Sequence, residues 1–220
     1  MREYVDPSLD DEFNKIDSLN WLPFIGVNYF KEKYKTLIIG ESHYVPIDED
    51  PDFYNVKNWT RQFILKEGLQ IKPWFQNQPK NSLVREIEKT LEGDVNNKLW
   101  ENIAYFNLIQ RLLPSIKGQD RPTYEDIKIG LNTFKKIVEL FNPDRILFCG
   151  VEAAKHFQNL ICDDKFQINE YKCPPNTING AYPKSFELIF NEKKCICYFV
   201  KHPSMGYSSD QWSEFIHDRN

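Results

Sequence analysis

Residues 36–46 read TLIIGESHYVP, and the fold prediction depends on this stretch. Four apolar or β-branched residues lead into Gly40, and a carboxylate, a hydroxyl, an imidazole and a phenol follow at once. A short apolar run without polar alternation is typical of a strand buried on both faces of a sheet. We therefore expect residues 36–40 to form a central strand and residues 41–44 to place polar groups at its carboxyl end.

Three further apolar runs predict the other strands of a parallel sheet. They are residues 102–108 (NIAYFNL), 145–150 (RILFCG) and 196–203 (ICYFVKHP). Each is rich in β-branched or aromatic residues, as buried strands are. In addition, residues 186–190 (FELIF) are expected to pair with residues 194–198 as an edge hairpin.

Helical patterns alternate with these strands. Residues 81–93 begin at an asparagine that can cap a helix and end at a glycine, and residues 123–126 resemble a capping box. Residues 150–160 and a last segment starting at Ser208 or Ser209 are also helical in pattern. Such alternation predicts an α/β protein, a three-layer α/β/α arrangement around a mostly parallel four-stranded sheet with a possible edge hairpin.

Length and composition predict a single domain over residues 1–220. The chain is 41% hydrophobic, enough for one well-buried core. No apolar run approaches the length of a membrane span and the N-terminus is acidic, so we expect a cytoplasmic protein that binds no membrane. The net charge of −4 gives no global attraction to nucleic acid. The five cysteines lack a CxxC pair and are expected to be reduced structural thiols.

Three predicted strand ends carry polar groups. They are residues 40–44, Asn107 and residues 202–204, which read His-Pro-Ser. Each alone has an ordinary structural explanation as a turn or a side chain that satisfies a loop backbone. Ligands of open α/β sheets, however, bind outside the carboxyl ends of the strands. Three such groups at one edge therefore predict a pocket, with the polar cluster as its floor.

The order of these motifs resembles the uracil-DNA glycosylase superfamily. Members have a strand ending in a G-Q-D-P-Y, G-x-N-P-G or G-E-A-P-G loop, a strand ending in Asn, an apolar strand before a helix, and H-P-S on the last strand. The counterparts are GESHY (40–44), AYFN (104–107), RILFCG (145–150) and VKHPS (200–204). The resemblance covers residues 35–210. It implies a monomer that hydrolyses the N-glycosidic bond of uracil or another modified or damaged base in DNA.

The resemblance also implies roles for single residues. In N-glycosidic cleavage the sugar becomes oxocarbenium-like while the departing base gains negative charge, so the site must stabilise an anion and guide a water. The resemblance implies that His202 donates a hydrogen bond to the base carbonyl and that Asn107 reads the edge of the extruded base. It further implies that Phe53 or Tyr54 stacks on the base and that Ser204 holds a backbone phosphate.

The chain departs from the family at the water-directing position. Many members have Asp or Asn there, whereas this chain has Ser42, and a hydroxyl supplies no negative charge. Members with G-E-A-P-G also lack an acid at this position and share a Glu after the glycine. Glu41, or one of Asp48, Glu49 and Asp50, is therefore expected to take over this role.

Other departures concern the loop, the DNA wedge and the cofactor. His43 replaces the usual proline, and Tyr44 matches the tyrosine that excludes the methyl group of thymine in G-Q-D-P-Y members. Where the family often has a leucine wedge, this chain offers Met205 or Tyr207. Members with G-E-A-P-G hold an iron–sulfur cluster through cysteines that begin ahead of the first motif. The first cysteine here is Cys149, so no cluster, metal or other cofactor is expected.

The predicted site has three parts, and two other functions stay open. The expected catalytic residues are Glu41, Ser42 and His202; the base-binding residues are Gly40, His43, Tyr44, Phe53 and Asn107; the DNA-backbone residues are Ser204 and Met205. A hydrolase of the erythromycin-esterase kind uses a G-E-x-x-H loop, and here Glu and His lie one residue closer. The other alternative is a superfamily relative that binds a nucleobase, nucleotide or protein partner without catalysis.

Overall fold

A computed structural model describes residues 3–46, 48–73, 76, 78–96, 98–115, 121–204 and 206–217, with only the backbone at 170 and 171. The strands are β1 Phe24–Ile25, β2 Thr36–Gly40, β3 Tyr44–Val45, β4 Ala104–Asn107, β5 Leu113–Pro114, β6 Arg145–Cys149, β7 Phe166–Lys172, β8 Lys184–Phe190 and β9 Lys193–Val200. The α-helices are α1 Asp10–Phe13, α2 Pro51–Tyr54, α3 Trp59–Phe63, α4 Ser82–Glu92, α5 Leu99–Asn102, α6 Tyr124–Phe141, α7 Ala154–Ile161 and α8 Ser209–His217. A 3-10 turn covers Tyr29–Lys31 and a π-helical turn covers Ile64–Gly68.

Seven strands form one sheet in the order β1-β4-β2-β6-β9-β8-β7. The four central strands, β4, β2, β6 and β9, run parallel to one another and are the four predicted from the apolar runs. The predicted count of four strands is wrong, because β1 adds to one side and β8 and β7 to the other, all antiparallel to their neighbours. Strands β3 and β5 form a separate parallel pair.

The additional strands carry weak sequence signals. β1 has two residues, too few to show a period. β7 reads FQINEYK and mixes apolar with polar residues, as an outer strand does. The predicted pairing of residues 186–190 with residues 194–198 is confirmed, since Leu188 lies opposite Cys195. The hairpin is not at the edge, however, because β7 pairs with the far side of β8.

Two hydrophobic clusters contain alternate residues of the parallel strands. Leu37 and Ile39 belong to the first cluster together with side chains of α6 and α7, whereas Ile38 belongs to the second together with side chains of α4 and α8. Successive side chains of a strand point to opposite faces, so the sheet is covered by apolar groups on both. This burial explains why β2 reads as a continuous apolar run.

The helix boundaries follow local capping signals. The Asn81 side chain accepts a hydrogen bond at the start of α4, and Gly93 ends that helix in the left-handed region. Thr123 and Asp126 form the predicted reciprocal capping box of α6. Both predictions are thus confirmed. Within the part of the chain that is described, no helix is long and apolar enough to cross a bilayer.

The order in which the chain adds parallel strands to the sheet reverses at β2. The chain passes from β2 to β4 on one side, and then through α6 to β6 on the other side of β2. The four carboxyl ends, at Gly40, Asn107, Cys149 and Val200, lie at one edge of the sheet because these strands are parallel. Ligands of open α/β sheets bind at such a switch point, which here lies between the ends of β2 and β6.

Candidate functional site

A cleft opens at the switch point between the ends of β2 and β6. Gly40 and Glu41 line one side, Cys149 and Gly150 line the other, and Pro122 lies between β5 and α6 at the rim. The space that a water-sized molecule can occupy is about 30 Å³, room for about one water. The cleft is therefore closed to a nucleobase in this conformation.

The Glu41 carboxylate forms a polar group with two neighbours. The Tyr44 hydroxyl donates a hydrogen bond to Glu41 Oε2. Burial and this bond raise the pKa of Tyr44, and the Arg121 guanidinium beside its hydroxyl opposes the rise. Sequence reasoning missed Arg121, whose only signal was a cation in the turn before the capped α6. The Tyr44 phenol thus lies between the Glu41 carboxylate, which lines the cleft, and the Arg121 guanidinium.

His202 belongs to the same group of charges, although it follows β9. Burial lowers the pKa of His202, the Glu41 carboxylate partly offsets this effect, and Arg121 adds to it. The imidazole is therefore kept neutral near neutral pH. The backbone N–H of Ser204 donates to the His202 carbonyl at 2.7 Å, and Pro203 is buried, so the His-Pro-Ser turn is held in place.

Asn107 ends β4 directly opposite Gly40 in the ladder. The Tyr105 hydroxyl donates to Asn107 Oδ1 at 2.8 Å, and the buried Asn107 Nδ2 has no hydrogen-bond partner among the described residues. A buried donor without a partner costs about 1–3 kcal/mol, so such a group calls for a ligand or a water. A Cβ at Gly40 would lie 2.0 Å from Tyr105 Oη, which explains why glycine stands here.

His43 is not brought to the cleft. Its side chain is buried, its Nε2 shares a 2.8 Å hydrogen bond with the Thr60 hydroxyl, and its ring meets Trp21 edge-on with centroids 4.9 Å apart. Trp59 and Phe63 complete this aromatic cluster. Burial lowers the pKa of His43 to about 3. The predicted base-binding role therefore lacks geometric support, because packing draws the ring away from Glu41.

Ser42 is also used within the protein. Its hydroxyl donates to the carbonyl oxygen of Arg111 at 2.5 Å, which ties the loop after β2 to the loop after β4. Backbone bonds reinforce this connection, since Ile109 N–H donates to the Glu41 carbonyl at 2.8 Å. In this conformation the hydroxyl of the predicted catalytic Ser42 is thus engaged with the main chain, and Ser42 is not part of the cleft lining.

Of the predicted site residues that the structure describes, Gly40 and Glu41 line the cleft, and the others, including Asn107 and His202, lie outside its lining. Phe53 is 64% exposed on α2 and packs edge-on against Tyr54 and Trp59. Ser204 is exposed beside His202. Met205 lies outside the described residues. The Tyr207 hydroxyl is 3.1 Å from Thr90 Oγ1, so this wedge candidate is engaged with α4.

Two acids of the loop after β3, Glu49 and Asp50, have local partners. Asp50 caps α2 by accepting from the backbone N–H of Asp52 at 3.0 Å, and Glu49 accepts a hydrogen bond from the Tyr54 hydroxyl. Among the carboxylates predicted to replace Ser42, Glu41 lines the cleft.

The chain stands apart from the proteins with which it was compared. No family model matches it, and no curated protein is significantly similar to it. Over the described residues, no three His, Cys, Asp or Glu side chains are grouped so that they could hold a metal ion. A functional assignment therefore depends on the geometry of the cleft and on the order of its motifs.

Proposed function

We propose that the protein hydrolyses the N-glycosidic bond of uracil or another modified or damaged base in DNA, within a three-layer α/β/α domain. The observation that carries this proposal is the buried Asn107 Nδ2, which has no hydrogen-bond partner among the described residues and lies at the edge of the sheet where Glu41 and His202 also lie. An amide donor reads a base, a carboxylate orients water, and a neutral imidazole donates to a leaving group. These are the groups that base excision requires.

Glu41 is the carboxylate of the proposed reaction. It orients the attacking water and stabilises the positive charge that develops on the sugar, the role that Ser42 does not supply. Its place in the cleft supports this assignment, whereas Glu49 accepts a hydrogen bond from Tyr54 and Asp50 caps α2. Tyr44 must release the carboxylate for this step, because its hydroxyl donates to Glu41 in the present conformation.

His202 is the donor to the departing base. A neutral imidazole offers an N–H without carrying a charge, and the lowered pKa of His202 favours that form. Preorganised donors of this kind stabilise an anion where it develops in the transition state. The cleft must widen before a base can enter, since the present space holds about one water.

A binding function without catalysis is the second candidate. It is supported by the hydrogen bond from the Tyr44 hydroxyl, which occupies the Glu41 carboxylate, and by the Arg121 guanidinium beside that hydroxyl. The esterase alternative is less favoured by the geometry, because it requires Glu41 and His43 to act on one water. His43 instead packs against Trp21 and bonds to Thr60.

The test is base release. Single- and double-stranded oligonucleotides carrying uracil, hypoxanthine, xanthine or modified cytosines are incubated with the protein, and alkali then cleaves any abasic site. We expect strand cleavage at one of these bases. Binding of an oligonucleotide without cleavage would favour the second candidate, and neither binding nor cleavage with the whole set would overturn both.

A further inference from the structure

We propose that Tyr105 is a positioning residue that holds the Asn107 amide as a hydrogen-bond donor, so that the site prefers a carbonyl group over an amino group at the atom Asn107 reads. This inference rests on the proposed function in taking a base as the ligand. It assigns a role to a side chain that the sequence analysis treated only as part of a predicted strand.

The two side chains are placed together by the strand itself. Residues 105 and 107 are two apart on β4 and therefore point to the same face of the sheet. Tyr105 is 2% exposed, and its ring packs near Trp100 and Phe63 with centroid distances of 6.2 and 6.4 Å. The hydroxyl is thus held 2.8 Å from Asn107 Oδ1. Burial raises the pKa of Tyr105, so the hydroxyl keeps the proton that it donates.

Hydrogen bonding decides which way the amide faces. The two ends of an Asn amide are told apart by their partners. In the reverse orientation Nδ2 would donate to Tyr105 Oη, and the hydroxyl proton would need another acceptor. The described residues provide Tyr105 with no hydrogen-bond partner other than Asn107. The orientation with Oδ1 on the hydroxyl leaves both Nδ2 protons for a ligand.

The main chain of β2 leaves space for this arrangement. A Cβ at Gly40 would lie 2.0 Å from Tyr105 Oη and 2.2 Å from Asn107 Oδ1, and both of these side chains are buried. A larger residue would therefore displace the pair. The tyrosine, the asparagine and the glycine act together to present a donor.

A donor at this position discriminates by chemistry. A carbonyl oxygen accepts from Nδ2, whereas an amino group meets it as a second donor and loses its own hydrogen bond. The carbonyl ligand gains one hydrogen bond, whereas the amino ligand leaves one unmade. We therefore expect the carbonyl ligand to bind about tenfold more tightly or better, which corresponds to about 1.4 kcal/mol. Without the Tyr105 hydroxyl the amide can turn over, and the preference should fall.

The first experiment compares two ligands and two tyrosine variants. Single-stranded oligonucleotides that differ only in uracil or cytosine, which carry a carbonyl or an amino group at C4, are titrated in a Glu41→Gln background where turnover is suppressed. We expect the preference for uracil to fall toward one in Tyr105→Phe and to persist in Tyr29→Phe. Tyr29 is the matched control, since its buried hydroxyl bonds to the Phe141 carbonyl at 3.2 Å. An unchanged preference in Tyr105→Phe would overturn the proposal.

The second experiment needs no ligand. The side-chain amide NMR signal of Asn107 is identified as the one missing from Asn107→Asp, and it is then followed in Tyr105→Phe. We expect no upfield movement of the amide protons, because the hydroxyl bonds to Oδ1. A clear upfield movement would show that Nδ2 had been the bonded atom and would overturn the proposal. If no oligonucleotide is bound or cleaved, the proposed function fails, and this measurement still decides the role of Tyr105.

Discussion

The aromatic cluster around His43 and the polar group of Glu41, Tyr44 and Arg121 near His202 each include a histidine whose pKa is lowered by burial. In the cluster, the imidazole bonds to Thr60 and packs against Trp21, and burial is the cause of its lowered pKa. In the polar group, the His202 imidazole also interacts with the charges of Glu41 and Arg121. The lowered pKa favours the neutral form of both rings at neutral pH. Only the His202 ring also has charged groups, Glu41 and Arg121, beside it.

This difference divides the four residues after Gly40 into two pairs. Glu41 and Tyr44 contribute to the polar group of the cleft, whereas Ser42 and His43 attach the loop to its surroundings. We propose that neighbouring residues of this loop have separate roles, one pair in the chemistry and the other in the structure. The predictions below test whether this division holds, from the largest expected effect to the smallest.

Replacing Glu41 by Gln tests the charge in the cleft. The change keeps the shape of the side chain and removes its charge, so we expect base release to slow about a hundredfold or more, with ligand affinity nearly intact. Single-turnover release and titration with a substrate oligonucleotide measure the two quantities. Glu49→Gln is the matched control and should retain full turnover.

If Glu41→Gln is as active as the parent, Glu41 is not the water director. Amide replacements of Asp48, Glu49 and Asp50 would then examine the remaining acids. Full activity in all four variants would remove a charged water director from the mechanism and favour the binding function.

Truncating each histidine should separate the two regions. We expect His202→Ala to reduce turnover by about 10²–10³-fold, the scale of losing one donor to a developing anion, with little change in stability. His43→Ala should instead lower the free energy of unfolding by about 2–4 kcal/mol, as for other large buried side chains, with turnover of the folded protein retained. Urea denaturation and base release are measured on both variants. Equal turnover losses would contradict the division.

Acid should destabilise the protein through His43. The folded pKa of about 3 lies below the ordinary value of 6.5, so the unfolded chain binds more protons between these values and stability falls as the pH is lowered. We expect this group to contribute a loss of about 1.4 kcal/mol per pH unit between about pH 5.5 and about pH 4. His43→Phe should remove that part of the slope in urea unfolding.

Thr60→Val is the control for this measurement. It removes the hydrogen-bond partner of His43 and leaves the imidazole in place. The pH slope of this variant should match that of the parent, even if its stability is lower. A slope that falls equally in Thr60→Val would mean that lost packing, rather than protonation, causes the effect.

Ser42→Ala should have the smallest effect. The change removes the bond to the Arg111 carbonyl, which we expect to cost about 1 kcal/mol of stability. Turnover should remain close to that of the parent, because the hydroxyl is a structural group. Unfolding in urea and base release test both statements, and a large loss of turnover without a loss of stability would return Ser42 to the catalytic residues.

Much of the fold could be predicted from short-range patterns. The run at residues 36–40 shows burial on both faces, because a strand inside a covered sheet has no polar face to alternate with. The capping residues Asn81 and Thr123 are local signals that act through hydrogen bonds within a few residues. The parallel strand ends followed from these elements, and with them the shared edge of residues 40–44, Asn107 and His202.

Other features were decided by tertiary packing. β1 and β7 are strands because they pair with the free edges of β4 and β8, and neither has a strong periodicity of apolar residues of its own. The His43 side chain lies away from the cleft because Trp21 and Thr60, which are distant in sequence, provide an apolar contact and a hydrogen bond.

The sequence by itself thus determines the order of strands and polar motifs, since the patterns of burial and capping involve neighbouring residues. The orientation of each polar side chain could not be predicted in this way, because it depends on partners from other elements. Arg121, in the turn before α6, lies beside the Tyr44 hydroxyl, and the Tyr105 hydroxyl donates to Asn107 Oδ1 in the space left by the missing side chain of Gly40. Only the folded chain brings these groups close to one another, because they come from separate elements of the sequence.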